Sequence, residues 1–188
     1  MDSTDPDDRR TAIIRAVWRV IAESGMGAVS MRNVASAAGV SVGRIQYWFR
    51  SKDELLRASL EAMVAGAEER HSAETEGADD REALWRLIAG PIPLAESSRA
   101  MVSVFHQYVA AGISHPGLAE LLAEAKEGAE AEAARLLRRA APGVADARQA
   151  ARSLMATADG LTMRVLIGGL SAAEAEHTLR TEVDRVAG

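Results

Sequence analysis

Between residues 30 and 52 the sequence SMRNVASAAGVSVGRIQYWFRSK folds most simply as two short helices around one glycine turn. Ser30 is placed to cap a helix through about Ala37, with Met31, Val34 and Ala38 as its inward face. Gly39 marks the turn. Ser41 caps a second helix through about Trp48, where Val42 and Ile45 stand at i and i+3 and are expected to face inward. Helices this short are marginal alone, so the segment needs longer partners. Upstream, Ile13, Ile14, Val17, Val20 and Ile21 recur at helical spacing until Gly25 and Gly27 end the run. Downstream, Ser51-Lys52-Asp53-Glu54 has the form of a capping box, and Leu56, Leu60, Met63, Val64 and Ala67 continue along one face of a long helix.

The rest of the chain reads the same way. A polar stretch from about His71 to Asp80 is a loop, after which Asp79 or Asp80 caps a helix carrying Leu84, Leu87 and Ile88. Gly90-Pro91-Ile92-Pro93 breaks that helix. Another comes next with Met101, Val102, Phe105, Tyr108 and Val109, and stops near Gly112. Pro116 belongs in the first turn of a helix that runs towards Ala140 and halts at Pro142-Gly143. A further helix spans about 147–167, and Ser171-Ala172-Ala173-Glu174 is a second capping box. Alternating, β-branched strand patterns are absent. The expectation is an all-α protein of about nine helices: an acidic, disordered tail over 1–8, a helix-turn-helix domain over 9–50, and a helical body over 51–188.

Charge supports this division. The chain carries a net −5, yet residues 9–52 hold eight basic side chains (Arg9, Arg10, Arg15, Arg19, Arg32, Arg44, Arg50 and Lys52) against Glu23 alone, a local +7 that leaves −12 for the remainder. A basic module joined to an acidic body suits phosphate binding by the first part. A solvated arginine face is the plainer reading of the charge alone. Other classes of function are harder to accommodate. There are no cysteines, which excludes disulfides, thiolate-bound zinc and a thiol nucleophile. His71, His106, His115 and His177 form no pair at i, i+3 or i+4, and neither a phosphate-cradling glycine loop nor a catalytic triad order is present. No metal or cofactor is expected. No apolar run reaches the about 20 residues of a membrane helix, and MDSTDPDD is acidic where a secretory signal is basic and then apolar, so a cytoplasmic protein without membrane contact is expected.

The segment 30–56 resembles the DNA-binding region of the TetR family of bacterial transcription regulators. The match rests on small Ala35 and Gly39 at the helix contact, Ser41 at the start of the second helix, the Tyr47-Trp48-Phe49 cluster and Lys52, all in register. The stretches PIPLAESSRA, HPGLAELL and DGLTMR resemble the subgroup containing choline-responsive repressors of betaine synthesis. The resemblance implies that the second short helix enters the major groove of double-stranded operator DNA. Arg44 is then the candidate base reader, since a guanidinium pairs bidentately with guanine, and Gln46 can read adenine or lie near the backbone. Val42 can touch a thymine methyl, and Gly43 lies on the same helix. Tyr47, Trp48 and Lys52 match positions that contact phosphate, while Ser30, Arg32 and Ser41 lie where helix ends meet the backbone; such contacts position rather than specify. Ser30 and Ser41 are caps with or without DNA, and Tyr47 or Trp48 can instead pack on the first helix. Many relatives carry threonine and tyrosine where this chain has Arg44 and Gln46, so its operator is expected to differ.

For the body, the resemblance implies a small-molecule effector pocket and a homodimer formed through the last two long helices. Trp85, Met101, Phe105, Tyr108, Met155 and Met163 are the candidate apolar lining, with His106, Gln107 or Asp159 as polar contacts. Core packing explains the same residues. Residues 147–167 are apolar over more of their circumference than one inward stripe requires, which suits a covering partner. The expected function is a ligand-relieved repressor binding a palindromic operator as a dimer. Two alternatives remain: a helical metabolite-binding protein or enzyme with no DNA role, and a DNA-binding regulator that lacks a ligand response.

Overall fold

A computed structural model describes residues 6–187, and within them the chain forms nine α-helices and no strand. They are α1 (Pro6–Ser24), α2 (Met31–Ala38), α3 (Val42–Trp48), α4 (Lys52–Glu74), α5 (Asp80–Ala89), α6 (Glu96–Gly112), α7 (Pro116–Ala140), α8 (Ala147–Leu166) and α9 (Ala172–Ala187), with a 3₁₀ turn at Met26–Ala28 between the first two. The caps explain most of the boundaries. Ser30 Oγ accepts from the Asn33 amide at 3.1 Å, and Ser41 Oγ from that of Arg44 at 3.2 Å. Between them Gly39 takes the left-handed conformation (φ 66°), and its amide closes the end of α2 on the Ser36 carbonyl. Asp79, rather than Asp80, caps α5 through the Glu82 amide at 2.8 Å. Ser171 and Glu174 form the reciprocal box at the start of α9, whereas at α4 Glu54 reaches back one residue further, to the Arg50 amide.

Two boundaries differ from the sequence reading. Residues 1–5 of the expected tail lie outside the described residues, but Pro6, Asp7 and Asp8 already form the first turn of α1, where proline fits and acids complement the helix dipole. The expected loop from His71 also begins later. α4 continues to Glu74, because Glu68, Glu69, Arg70 and Ala73 carry no apolar signal yet are good helix formers, and the Thr75 hydroxyl then closes the last turn on the His71 carbonyl at 2.7 Å.

The helices pack into two compact units, neither of them a single stretch of chain. One contains the described residues up to 66 together with 103–122, and the other contains 67–102 together with the described residues from 123 onward. The core of the first unit is built from Ile13, Val17 and Ile21 of α1, Val34 of α2, Ile45 of α3 and Phe49 just after it, Leu55 and Leu60 of α4, and Val104, Tyr108 and Leu118. The second has its own core in Leu84, Ile88, Leu136, Leu137, Leu154, Leu179 and Val183. The expected division between residues 50 and 51 falls at the start of α4 and within the first unit.

Candidate nucleic-acid interface

The seven-residue α3 is held from one side only. Ile45 is fully buried, Phe49 just beyond the helix is 1% exposed, and Ser41 fixes the first turn. The other side is left open: Val42, Gly43, Arg44, Gln46 and Tyr47 all face solvent. Val42 departs from the inward position expected of it. It precedes Ile45 in the first turn and lies beyond the edge of the core, 37% exposed, which leaves a methyl-bearing surface outward. A Cβ on Gly43 would meet nothing nearer than Ser41 Oγ at 3.9 Å, so the backbone there is open to close approach.

Around α3 the other expected contacts are distributed over two helix starts. Arg32 is exposed in the first turn of α2 and Lys52 opens α4, with Arg50 exposed just before it. Ser30 is half-buried and Ser41 exposed, and both are used as caps. Tyr47 is 76% exposed and meets Trp48 edge to face at 5.3 Å. Trp48 itself is half-buried against the core of the first unit, and its Nε1 is enclosed without a hydrogen-bond partner. In this conformation its indole N–H is not open to solvent. Two members of the basic cluster are also committed to protein. Arg19 donates to the Ala37 carbonyl at 2.8 Å, finishing the end of α2, and Arg10 lies over the Phe49 ring at 5.6 Å. Local pattern does not separate these arginines from the open ones, since the partners of both lie far along the chain.

The residues expected to line an effector pocket divide between the units: Phe105, His106 and Tyr108 belong to the first, and Trp85, Met101, Met155, Asp159 and Met163 to the second. Tyr108 is a core residue. It is fully buried, and its hydroxyl lies 2.5 Å from Ser59 Oγ; because the Ser59 hydroxyl donates to the Leu56 carbonyl, Tyr108 is the donor in this pair. Burial pushes its phenol up to about 12, against the smaller opposing effect of Ser59. Phe105 is half-buried on the same core, edge to face with His106 at 6.0 Å. In the second unit Asp159 is held by Lys126, whose ammonium reaches both carboxylate oxygens at 2.6 and 2.7 Å. Trp85 is covered by the Arg180 guanidinium at 3.9 Å and borders an open cavity of about 180 Å³ lined also by Asp79, Arg81, Glu82, Val183 and Asp184. Met155 packs on the core, while Met101 and Met163 are 40% and 45% exposed.

Comparison with known proteins decides the family. Residues 13–59 match the family described as bacterial regulatory proteins, tetR family, and residues 80–188 match the BetI-type transcriptional repressor, C-terminal. The chain belongs to the TetR family. The TetR match spans most of α1 through the first turns of α4, and the BetI-type match covers α5 to α9. A curated relative, the HTH-type transcriptional regulator BetI 2 of Chromohalobacter salexigens, is 30% identical over 95% of this chain and 88% of its own length. The regulator BetI of Stenotrophomonas maltophilia is 31% identical over 88% of this chain and 86% of its own. Among solved structures, a transcriptional regulator from Rhodococcus aligns with a TM-score of 0.86 at 27% identity, covering 94% of this chain and 95% of that one. A protein from Saccharomonospora viridis, described as a transcriptional regulator and solved in complex with choline, aligns at 0.85 with 31% identity over 95% and 96%. This TetR-family chain is therefore a transcriptional regulator, and the enzyme reading is set aside, because the family and its relatives are regulators. No helix among the described residues is long and apolar enough to cross a membrane.

Proposed function

We propose that this regulator is a repressor that reads a two-fold operator as a homodimer, one α3 per half-site, and releases it on binding a small organic cation. The observation that carries the DNA part is the open side of α3. Arg44 and Gln46 stand there with Val42 and Tyr47 in solvent, while Ile45 anchors the helix from behind. Arg44 reads guanine, Gln46 assists, and Tyr47, Lys52 and Arg32 hold phosphates, with Ser30, Ser41 and Gly43 shaping the backbone that approaches. One short helix reads few base pairs, so two-fold pairing doubles the site. Met163 near the end of α8, at 45% exposure, and Ile167 just beyond it, at 73%, leave an apolar edge that suits a second copy.

The cation is inferred from the choline bound by the Saccharomonospora viridis relative. Within the second unit, the candidate contacts are the Asp159 carboxylate, which a ligand cation would share with or take from Lys126, together with Trp85, Met101, Met155 and Met163. Selection from random duplexes at moderate salt tests the operator reading: a palindromic site is expected, and Arg44→Ala should change the selected bases. No selected site, or an unchanged one in Arg44→Ala, would overturn it. Choline tests the release. It is expected to raise the melting temperature and lower operator affinity together, because linked equilibria are reciprocal. Stabilisation without any effect on DNA affinity would exclude choline as the relieving ligand.

A further inference from the structure

The connection between α1 and α2 lacks a side-chain cap of its own. Its 3₁₀ turn, Met26–Ala28, is preceded by Gly25, which has no side chain to receive the first amide, while at the end of α1 the Ile21 carbonyl accepts from the Gly25 amide at 2.9 Å. A side chain of α6, more than 80 residues away, supplies the missing acceptor and adds a second donor to that carbonyl. Gln107 Oε1 accepts from the Met26 amide at 2.8 Å, and Gln107 Nε2 donates to the Ile21 carbonyl at 3.3 Å. One amide therefore spans the end of α1 and the start of the turn. Gly25 lies beside it in a positive-φ conformation (80°), and a Cβ there would sit 3.6 Å from Gln107 Oε1, so φ rather than crowding favours glycine.

The start of α2 is hooked to this turn. Asn33 Nδ2 donates to the Ala28 carbonyl at 2.7 Å while the Asn33 amide is capped by Ser30, so the turn fixes where α2 begins. α2 in turn carries the Gly39 connection into α3. The neighbouring Tyr108 ties α6 to α4 through Ser59, whose carbonyl accepts from Trp18 Nε1 of α1 at 3.1 Å. Of these two α6 residues, Tyr108 is enclosed in the core, whereas Gln107 is half-buried and bonds only to backbone.

We propose that Gln107 is a positioning residue for DNA reading: it sets the seat of α2 and α3 from α6 without touching DNA. This role rests on the operator reading proposed above. The test uses the full chain and the duplex selected by the unaltered protein. Q107L removes both hydrogen bonds at similar volume, and Q107E keeps an acceptor for Met26 while losing the donor to Ile21. Operator affinity, measured by fluorescence anisotropy well below melting, is expected to fall about tenfold in Q107L and less in Q107E. The dependence of affinity on salt should keep its slope in Q107L, because the cations that face DNA remain. Exchange of the Met26 amide should accelerate in Q107L and stay slow in Q107E. Unchanged affinity in folded Q107L overturns the proposal, as does a fall in affinity with Met26 exchange unchanged, which would mean that Gln107 does not act through the turn. If Q107L does not fold, unchanged affinity in Q107E overturns it instead. Failure of the unaltered protein to select any duplex would instead bring down the operator reading itself.

Discussion

Arg44 and Lys52 are both exposed cations near α3, yet their expected roles separate in experiment. Arg44→Ala should relax selectivity at one base pair by about 1–3 kcal/mol, measured as affinities for the selected operator and its single-base variants. Lys52→Ala should weaken all duplexes alike and lower the salt slope by about one. Tyr108→Phe belongs to a different class. It removes the donor to Ser59 but leaves the Ser59 hydroxyl bonded to Leu56, so the cost should be about 0.5–1.5 kcal/mol in urea unfolding, with selectivity untouched. At this scale the sequence was most readable where a cap fixed the register: Ser41 places Ile45 inward and Arg44 outward. It was least readable where a partner is distant. Nothing near Asp159 in the chain points to Lys126, and nothing near Trp85 points to Arg180, so aromatic and acidic residues that read as ligand contacts are already paired with cations of the protein itself.

Elements are tied by a few specific contacts. Glu130 of α7 accepts from both Arg148 and Arg152 at the start of α8, at 2.8 to 3.0 Å, and the hydrogen bond from Arg152, followed by that from Arg148, holds its carboxyl down to about 2 from an ordinary 4.5. A depressed carboxylate contributes stability above its unfolded pKa and loses it as pH falls. Glu130→Gln should therefore lower the urea midpoint at pH 7, and the gap from the unaltered protein should narrow from about pH 4.5 towards 2. The crossing of α6 and α7 is tighter. A Cβ on Gly112 would sit 2.7 Å from Leu122 Cδ1, so Gly112→Ala should cost about 1–3 kcal/mol by forcing the leucine aside. Helix existence was legible almost throughout, because apolar periodicity and capping residues agreed. The errors lay at ends governed by other forces: helix propensity carried α4 past His71, and the acids of the first turn let α1 begin at Pro6, inside the expected tail.

Across the whole molecule, the order of the chain and the order of packing differ. α4, α6 and α7 each contribute residues to both compact units, and the unit carrying α3 is completed only by residues 103–122. Local patterns in the sequence could not reveal this, since Gln107 and Tyr108 read equally well as part of a ligand-binding body. Exchange of DNA-reading modules between relatives is constrained accordingly. A crossover after residue 50 or 66 would graft a head whose core lacks its own Val104, Tyr108 and Leu118, and such a chimera should melt earlier than one that also carries residues 103–122 from the same parent. Differential scanning of the two chimeras measures the difference. Recombination in nature faces the same arithmetic, which makes a single-crossover change of operator costly and favours substitution on the open side of α3, where side chains can change without disturbing any core.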